Sequence, residues 1–352
     1  MEQNRVEWLD VARGIGLLLV IIGHTMTTPI RQASELANCI YTAIYFFHMP
    51  FMFYLSGRTF GMFWERNKTL ANSKWIKKKW CTLMVPYFTY GVIVYFIFSV
   101  GNRIQGIDAI LENAGYGRLG VTDWIFGVLW GDNLYAYHLW FIYALFLMNL
   151  VSFFMSKYIK KHQWILLVLG LILADARTYV DTTYWGIFNL FMKCYLWFII
   201  GTYFDFSKVV KKTWAIFWQM ISVLYLICYT GNRNGFFTKL DNQILEPVKW
   251  VMDVGMIMAL IQISMLLSGA LRKFFSYTGQ NSYGIYLFHQ PFFASGSGLV
   301  LYKVLGLPLP IAILITFLLC YVVPLVMINL LNKRGLQFLK PYLLGEIKRK
   351  KE

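Results

Sequence analysis

A series of apolar segments, most of them about twenty residues long, recurs along the whole chain and constrains its fold most strongly. Hydrophobic residues make up 58% of the 352 residues and charged residues only 14%, with a mean hydropathy of +0.53. Soluble globular domains carry far more charge. Because a helix satisfies its own backbone hydrogen bonds inside a bilayer, the sequence predicts an all-α, polytopic membrane helical bundle, with one domain over residues 1–352.

The apolar segments predict ten membrane spans. They lie near residues 9–28, 40–63, 80–100, 134–156, 164–174, 184–204, 214–230, 250–269, 285–302 and 310–331. The fifth has the shortest apolar core, and the connection 101–133 is expected to carry an interfacial helix around Trp124–Trp130. We expect the first segment to be retained, because no small-residue cleavage site follows its apolar core.

Basic residues are abundant in every second connection between the predicted spans. If the N-terminus is cytoplasmic, the inside connections and termini hold 22 Lys and Arg residues. The outside connections hold only eight, which are Arg31, Arg103, Arg118, Arg177, Arg233, Lys239, Lys249 and Lys303. This positive-inside pattern predicts ten helices with both termini in the cytoplasm. The net charge of +16 therefore follows topology, and no nucleic-acid partner is expected.

The five cysteines show no metal-site or disulfide spacing. They are scattered through or beside apolar segments without any C-x-x-C pair, at Cys39, Cys81, Cys194, Cys228 and Cys320. We expect them to be small core residues, and we expect no metal cofactor.

Two ionisable residues, Arg13 and His24, lie eleven positions apart inside the first apolar segment. At ~100° per residue they share one helix face, separated by roughly 16 Å along the axis. Charged groups at membrane depth are costly and commonly functional. We therefore expect this face to line a functional site, with Asp10 three residues before Arg13 and able to pair with it.

Four side chains in the predicted spans each have a functional and a structural interpretation. His24 can act as a general base towards a hydroxyl, or it can be a structural histidine bonded to a neighbouring carbonyl. Arg13 can hold an acidic cytoplasmic ligand with its guanidinium fork, or it can snorkel to the interface. Arg58 can be a second contact for an acidic ligand such as a phosphate, or it can be another cation that snorkels to the interface. His48, two residues before Pro50, can line the site or form a structural hydrogen bond.

Other ionisable residues also fall within the predicted spans. A structural role is expected for His289, which precedes Pro291, and His138 is expected in an interfacial aromatic belt. Lys193 and Asp253 are candidates for an intramembrane pair.

Four ordered motifs resemble the acyltransferase-3 family of bacterial membrane O-acyltransferases. They are LDVARGIGLLLVIIGH with Arg13 and His24, FFHMPFMFYLSG, KWIKKKWCTLMVPYF, and LWFIYALF followed by GQNSYGIYLFHQPF. Each motif is weak alone, but their order and spacing extend over nearly the whole chain. The second motif is similar to that of sugar O-acetylases.

The resemblance implies transfer of an acyl group, commonly acetyl, from cytoplasmic acyl-CoA to a hydroxyl of an extracytoplasmic glycan or related acceptor. It implies that His24 is central to transfer and Arg13 to binding of the acyl-CoA, and that His48 belongs to the site of a subgroup. A multi-pass protein of the bacterial cytoplasmic membrane is expected, with acyl-CoA, a glycan or lipid-linked sugar and membrane lipids as partners. Either this chain completes the transfer or a partner protein does.

Two other functions are compatible with the composition. A transporter of glycans or lipid-linked intermediates would use the same polar groups without covalent chemistry. A structural scaffold would need none of them. The sequence leaves open a general-base or an acyl-histidine mechanism, the acyl group, the acceptor and the oligomeric state, a homo-oligomer included.

Overall fold

A computed structural model describes residues 6–158, 164–176, 186–236 and 242–346. These residues contain helices and no β-strand. The α-helices in chain order are α1 (Glu7–Thr25), α2 (Thr28–Ala33), α3 (Glu35–Asn67), α4 (Asn72–Lys79), α5 (Val85–Gly101), α6 (Ile107–Asn113), α7 (Val121–Trp130), α8 (Trp140–Tyr158), α9 (Trp164–Ala176), α10 (Gly186–Tyr203), α11 (Thr213–Arg233), α12 (Asn242–Leu266), α13 (Gly269–Gln280), α14 (Ser282–Phe288), α15 (Ser297–Leu299), α16 (Leu309–Leu331) and α17 (Lys340–Leu343).

The predicted helical membrane architecture is confirmed. Every predicted span overlaps a helix, and α4 continues through a π-helical turn, Trp80–Met84, into α5. Within the described residues, seven stretches are long and apolar enough to cross a membrane: Glu7–Thr25, Glu35–Trp64, Asn72–Gly101, Tyr137–Tyr158, Thr213–Arg233, Pro247–Leu266 and Leu309–Leu331. The count of ten crossings and the side on which the termini lie stay predictions.

Glycines allow the central helices to approach at backbone distance. A Cβ on Gly14 of α1 would lie 2.0 Å from the Phe275 carbonyl oxygen of α13, and one on Gly279 would lie 1.8 Å from the Asp10 carbonyl oxygen. Small residues give close helix packing in membranes, where lipid offers no hydrophobic drive for association. The first helix, which carries Arg13 and His24, is thereby held tightly against α13.

The predicted ninth span, 285–302, is not a continuous α-helix. Helix α14 ends at Phe288, and the chain continues through a turn at 289–291 and two π-helical turns around α15. Pro291 has no N–H, so the Leu287 carbonyl lacks its helical donor. The break therefore leaves backbone acceptors exposed inside the bundle, beside His289.

Helix α12 begins earlier than the predicted eighth span, so the placement of Lys249 in an outside loop is wrong. Lys249 lies within α12 and donates to Asp253 Oδ2 at 2.7 Å, one turn further on. Its ammonium also lies 4.7 Å from the centre of the Phe46 ring. This i,i+4 pairing and the aromatic face explain how a lysine is accommodated in the helix. The pairing of Asp253 with Lys193 stays a prediction.

Several of the counted charges lie outside the described residues: Arg5, Lys160, Lys161, Arg177, Lys239, Lys348, Arg349, Lys350 and Lys351. Several described basic residues lie together at one end of the bundle. Lys157 at the end of α8 donates to Asn72 Oδ1 at 2.6 Å, and Lys78 and Lys79 lie near Arg13. We call this end of the bundle the basic end, and the end with Arg31 the opposite end.

Candidate active site

The first helix presents its polar residues to cavities rather than to lipid. Arg13 Nη1 donates to Asp10 Oδ1 at 3.0 Å, as the i,i+3 spacing predicts, and Nη2 donates to the Thr59 hydroxyl at 2.5 Å. The Thr59 hydroxyl itself donates to the Leu55 carbonyl, so its lone pairs are available to the guanidinium. Asp10 is buried and Arg13 is partly exposed. The ion pair and Thr59 hold the guanidinium in place on the cavity wall.

Two adjoining cavities extend inward from the basic end. The larger, of about 510 Å³, is lined by Arg13 together with Lys78, Lys79 and Asn67. The second, of about 290 Å³, shares Arg13 with the first and reaches Tyr286. We call these two the inner cavities. The cations on their walls would attract an anionic ligand. Together the two cavities extend from the basic end towards the middle of the bundle.

A pair of histidines lies beyond the inner cavities. His24 Nδ1 and His289 Nε2 are 2.8 Å apart, and the two rings are nearly parallel. His289 Nδ1 lies 2.7 Å from the Tyr286 carbonyl oxygen. Residues 265 positions apart in sequence thus form one hydrogen-bonded chain.

The partners determine where the protons of this chain lie. A carbonyl oxygen only accepts, so His289 Nδ1 carries the proton that it donates to Tyr286. In a neutral ring His289 Nε2 then accepts a hydrogen bond from the N–H at His24 Nδ1. His24 Nε2 is left with its lone pair. In this arrangement the lone pair at Nε2 of His24 can accept a proton, and His289 orients the ring in the way that a second group orients the base in hydrolytic triads.

A third histidine completes the cluster. His138 is 3% exposed, its Nε2 donates to the Leu287 carbonyl at 3.2 Å, and its ring contacts that of His289 edge-on. The Tyr286 hydroxyl donates to the His138 carbonyl. The Leu287 carbonyl would accept from the N–H of residue 291 in a continuous helix, and Pro291 has none. His138 therefore donates the missing hydrogen bond. The expected interfacial-belt position of His138 is wrong, because this buried carbonyl requires a partner from the neighbouring helix.

A separate cavity reaches His24 from the opposite end of the bundle. We call it the outer cavity. It measures about 520 Å³ and is lined by His24 with Arg31, Tyr41, Tyr45, Tyr116 and Gln290 among others. It shares no lining residue with the inner cavities. His24 and Tyr286 thus lie on the walls of cavities that approach the histidine cluster from opposite ends.

The other two predicted site residues lie apart from these contacts. Arg58 faces α10 and pairs with Asp205 at 2.6 Å, and it is not among the residues that line the inner cavities. His48 is buried, and its Nδ1 donates to the Ile44 carbonyl at 2.8 Å. Its ring touches that of Tyr45, which lines the outer cavity. The structure brings Asp10 and Arg13 together, but Arg58 is not beside them.

His289 is the site residue that sequence reasoning did not bring to His24. The available signal was local: a proline four positions after Leu287 and two after His289 leaves backbone carbonyls without helical donors. Imidazole N–H groups are suitable donors for such carbonyls. Within the described part of the chain, no group of three His, Cys, Asp or Glu side chains is placed to hold a metal ion.

Comparison with known proteins gives one finding about the family. A family profile described as an acyltransferase domain matches residues 6–328. No match was found among curated proteins or among solved structures.

Proposed function

The chain belongs to the acyltransferase-3 family and is a membrane acyltransferase, and from this premise we propose that it moves an acyl group, most simply acetyl, from acyl-CoA to a hydroxyl of an extracytoplasmic glycan or related acceptor. The observation that carries the proposal is the orientation of His24. Its Nδ1 proton is engaged by His289, which leaves Nε2 as the basic nitrogen of a residue that lines the outer cavity. A base in this state is suited to remove a proton from an acceptor hydroxyl.

The donor enters from the basic end in this proposal. Phosphates of acyl-CoA contact Arg13, Lys78 and Lys79, which line the larger inner cavity. The pantetheine arm then follows the smaller inner cavity towards Tyr286, whose ring lies against those of His289 and His138. The thioester has to pass this ring to reach His24. Arg58 is left out of the proposed donor site because it faces Asp205.

The transfer step uses the hydroxyl of an acceptor in the outer cavity. Its oxygen attacks the thioester carbonyl carbon while its proton moves to His24 Nε2. The tetrahedral intermediate then collapses, the carbon–sulfur bond breaks, and the CoA thiolate takes the proton from the imidazolium. The ester remains on the acceptor, and free CoA with its thiol remains on the donor side. Positioning and base catalysis supply the acceleration.

A covalent route would use the same residue. His24 Nε2 would attack the thioester first, the carbon–sulfur bond would break, and the CoA thiolate would leave. The acceptor hydroxyl would then take the acyl group from the acyl-imidazolium, its proton would go to the thiolate, and His24 would return to its neutral form. Trapping a labelled acyl group on His24 by rapid quenching and mass analysis distinguishes this route from direct transfer. In both routes His289 keeps Nε2 of His24 as the reacting nitrogen.

Release of the CoA thiol by purified protein in nanodiscs tests the proposal. With acetyl-CoA and cell-surface glycan as acceptor, we expect the wild type to release CoA and His24→Ala to lose about 10²- to 10⁴-fold of that rate. Leu18→Ala, on the same helix but on no cavity wall described above, is the matched control. Full activity in a folded His24→Ala protein would contradict the role of His24. Movement of the glycan across the membrane without any CoA release would indicate a transporter instead.

A further inference from the structure

The outer cavity contains one cation and no acid. Among the described residues that line it, Arg31 is the only Lys or Arg, and none carries a carboxylate. The remaining lining groups include the hydroxyls of Thr27, Thr28 and Tyr45, and the amide of Gln290. This composition is polar and positive beside the nitrogen that we assign as the base.

Among the described residues, Arg31 contacts an aromatic ring and a hydroxyl but no counter-ion. Its guanidinium lies 4.0 Å from the centre of the Tyr41 ring, and Nη2 donates to the Thr28 hydroxyl at 3.1 Å. Its Nε is buried without a hydrogen-bond partner. No carboxylate of the described residues forms an ion pair with it, in contrast to Arg13 and Arg58, which both have one.

A half-buried guanidinium without a carboxylate partner among the described residues favours an anionic ligand. Its terminal N–H groups can donate to an oxyanion in the cavity, and a guanidinium already placed on an aromatic ring loses little further freedom on binding. Tyr41 also stacks on Tyr45, with ring centres 3.9 Å apart, and both rings line the same cavity. Flat rings and a few convergent polar groups are typical of small-molecule sites.

We propose that the outer cavity binds an acceptor that carries an oxyanion, a carboxylate or a phosphate, on its sugar. This inference rests on the proposed function and specifies its acceptor class. Arg31 holds the oxyanion, and a hydroxyl of the same acceptor faces His24. Neutral sugars lack the group that Arg31 binds, so they are the poorer acceptors.

Binding of three matched probes tests the site without requiring catalysis. The probes are methyl glucuronide, methyl glucoside and glucose 6-phosphate, measured by saturation-transfer NMR on full-length protein in phosphatidylcholine nanodiscs. We expect the two anionic probes to bind at least about tenfold more tightly than methyl glucoside, the size expected for one charge-assisted contact. Equal affinities for the three probes would overturn the proposal.

Two arginine variants identify the cation responsible. Arg31→Gln should abolish the preference for anionic probes and leave binding of methyl glucoside unchanged, while Arg31→Lys should keep part of it. The matched control is Arg103→Gln, which removes an exposed arginine that lies outside the outer cavity. Retention of the preference in Arg31→Gln, or its equal loss in Arg103→Gln, would contradict the assignment.

A lipid headgroup offers the same oxyanion chemistry. The measurement is therefore repeated with phosphatidylglycerol added to the nanodiscs. Unchanged binding of methyl glucuronide supports the acceptor site, whereas its loss would assign Arg31 to a lipid phosphate and overturn the proposal. CoA release with acetyl-CoA and the cell-surface glycan as acceptor is measured in parallel. If release depends on His24 but the anionic preference is absent, only the acceptor class fails; if release is absent in the wild type, the proposed function fails.

Discussion

At the scale of single residues, the main result is that His24 has a partner that fixes its tautomer. The chain from the Tyr286 carbonyl through His289 to His24 accounts for each ring proton in turn. Neither histidine requires a carboxylate for this. A backbone carbonyl, available because the helix ends at Phe288, therefore determines which nitrogen of His24 would react if His24 is the base that we propose.

His289 is therefore expected to act as a positioning residue. In His289→Phe, His24 loses the acceptor for its Nδ1 proton, so kcat for acyl transfer should fall by about 10- to 100-fold while KM for acyl-CoA stays unchanged. Steady-state CoA release measures both constants. His289→Gln keeps an acceptor oxygen and should restore part of kcat. An unchanged kcat in folded His289→Phe protein would contradict this role.

Arg13 and Arg58 give opposite expectations although both are paired arginines. Arg13→Ala removes a cation from the wall of the inner cavities and should weaken acyl-CoA affinity by about tenfold or more. Arg58→Ala should leave that affinity unchanged and instead lower the free energy of unfolding by about 1–3 kcal/mol, because Asp205 loses its partner. Calorimetric titration and thermal unfolding measure the two effects. Equal loss of affinity in both variants would place Arg58 in the donor site after all.

Contacts between residues close in sequence could be predicted, whereas contacts between residues distant in sequence could not. The Asp10–Arg13 pair could be predicted because three positions on a helix face bring side chains together. The His24–His289 contact could not, since one sequence does not state which helices pack against each other. His138 was misplaced for a related reason: its position at the start of an apolar segment suggested an interface, whereas its partner is the Leu287 carbonyl on another helix.

At the scale of helices, glycine contacts set the position of the site. Helix α1 lies against α13 with Gly14 and Gly279 at backbone distance. Any separation of these helices would move His24 relative to His289. Apolar length and composition predicted most helices, including α7 within the long connection, but they did not predict the break after α14, because π-helical turns have the same apolar composition as a helix.

Gly14→Val tests this helix contact. The new side chain would meet the Phe275 carbonyl, and we expect a loss of about 1–3 kcal/mol or more in the free energy of unfolding, together with lower activity. Thermal unfolding in detergent measures the loss. Gly298→Ala is the control, because a Cβ there meets its nearest neighbours at 3.7 Å. Unchanged stability of Gly14→Val would show that α1 and α13 separate freely.

At the scale of the whole molecule, the bundle has two ends that differ both in their basic residues and in the cavities that open there. Lys78, Lys79 and Lys157 lie at the end where the inner cavities open, and Arg31 lies at the other. The alternating loop charges of the sequence predict which end faces the cytoplasm, and that assignment stays a prediction. The sequence could not indicate the cavities, because their walls combine residues from helices that are distant in the chain.

The separation of the inner and outer cavities has a consequence for the proposed transfer. Among the described residues none lines both, and the rings of Tyr286 and the three clustered histidines lie between them. In the proposed reaction, this arrangement lets the acyl group cross from one cavity to the other while the nucleotide part of the donor, with its charged phosphates, stays in the cavity that it entered.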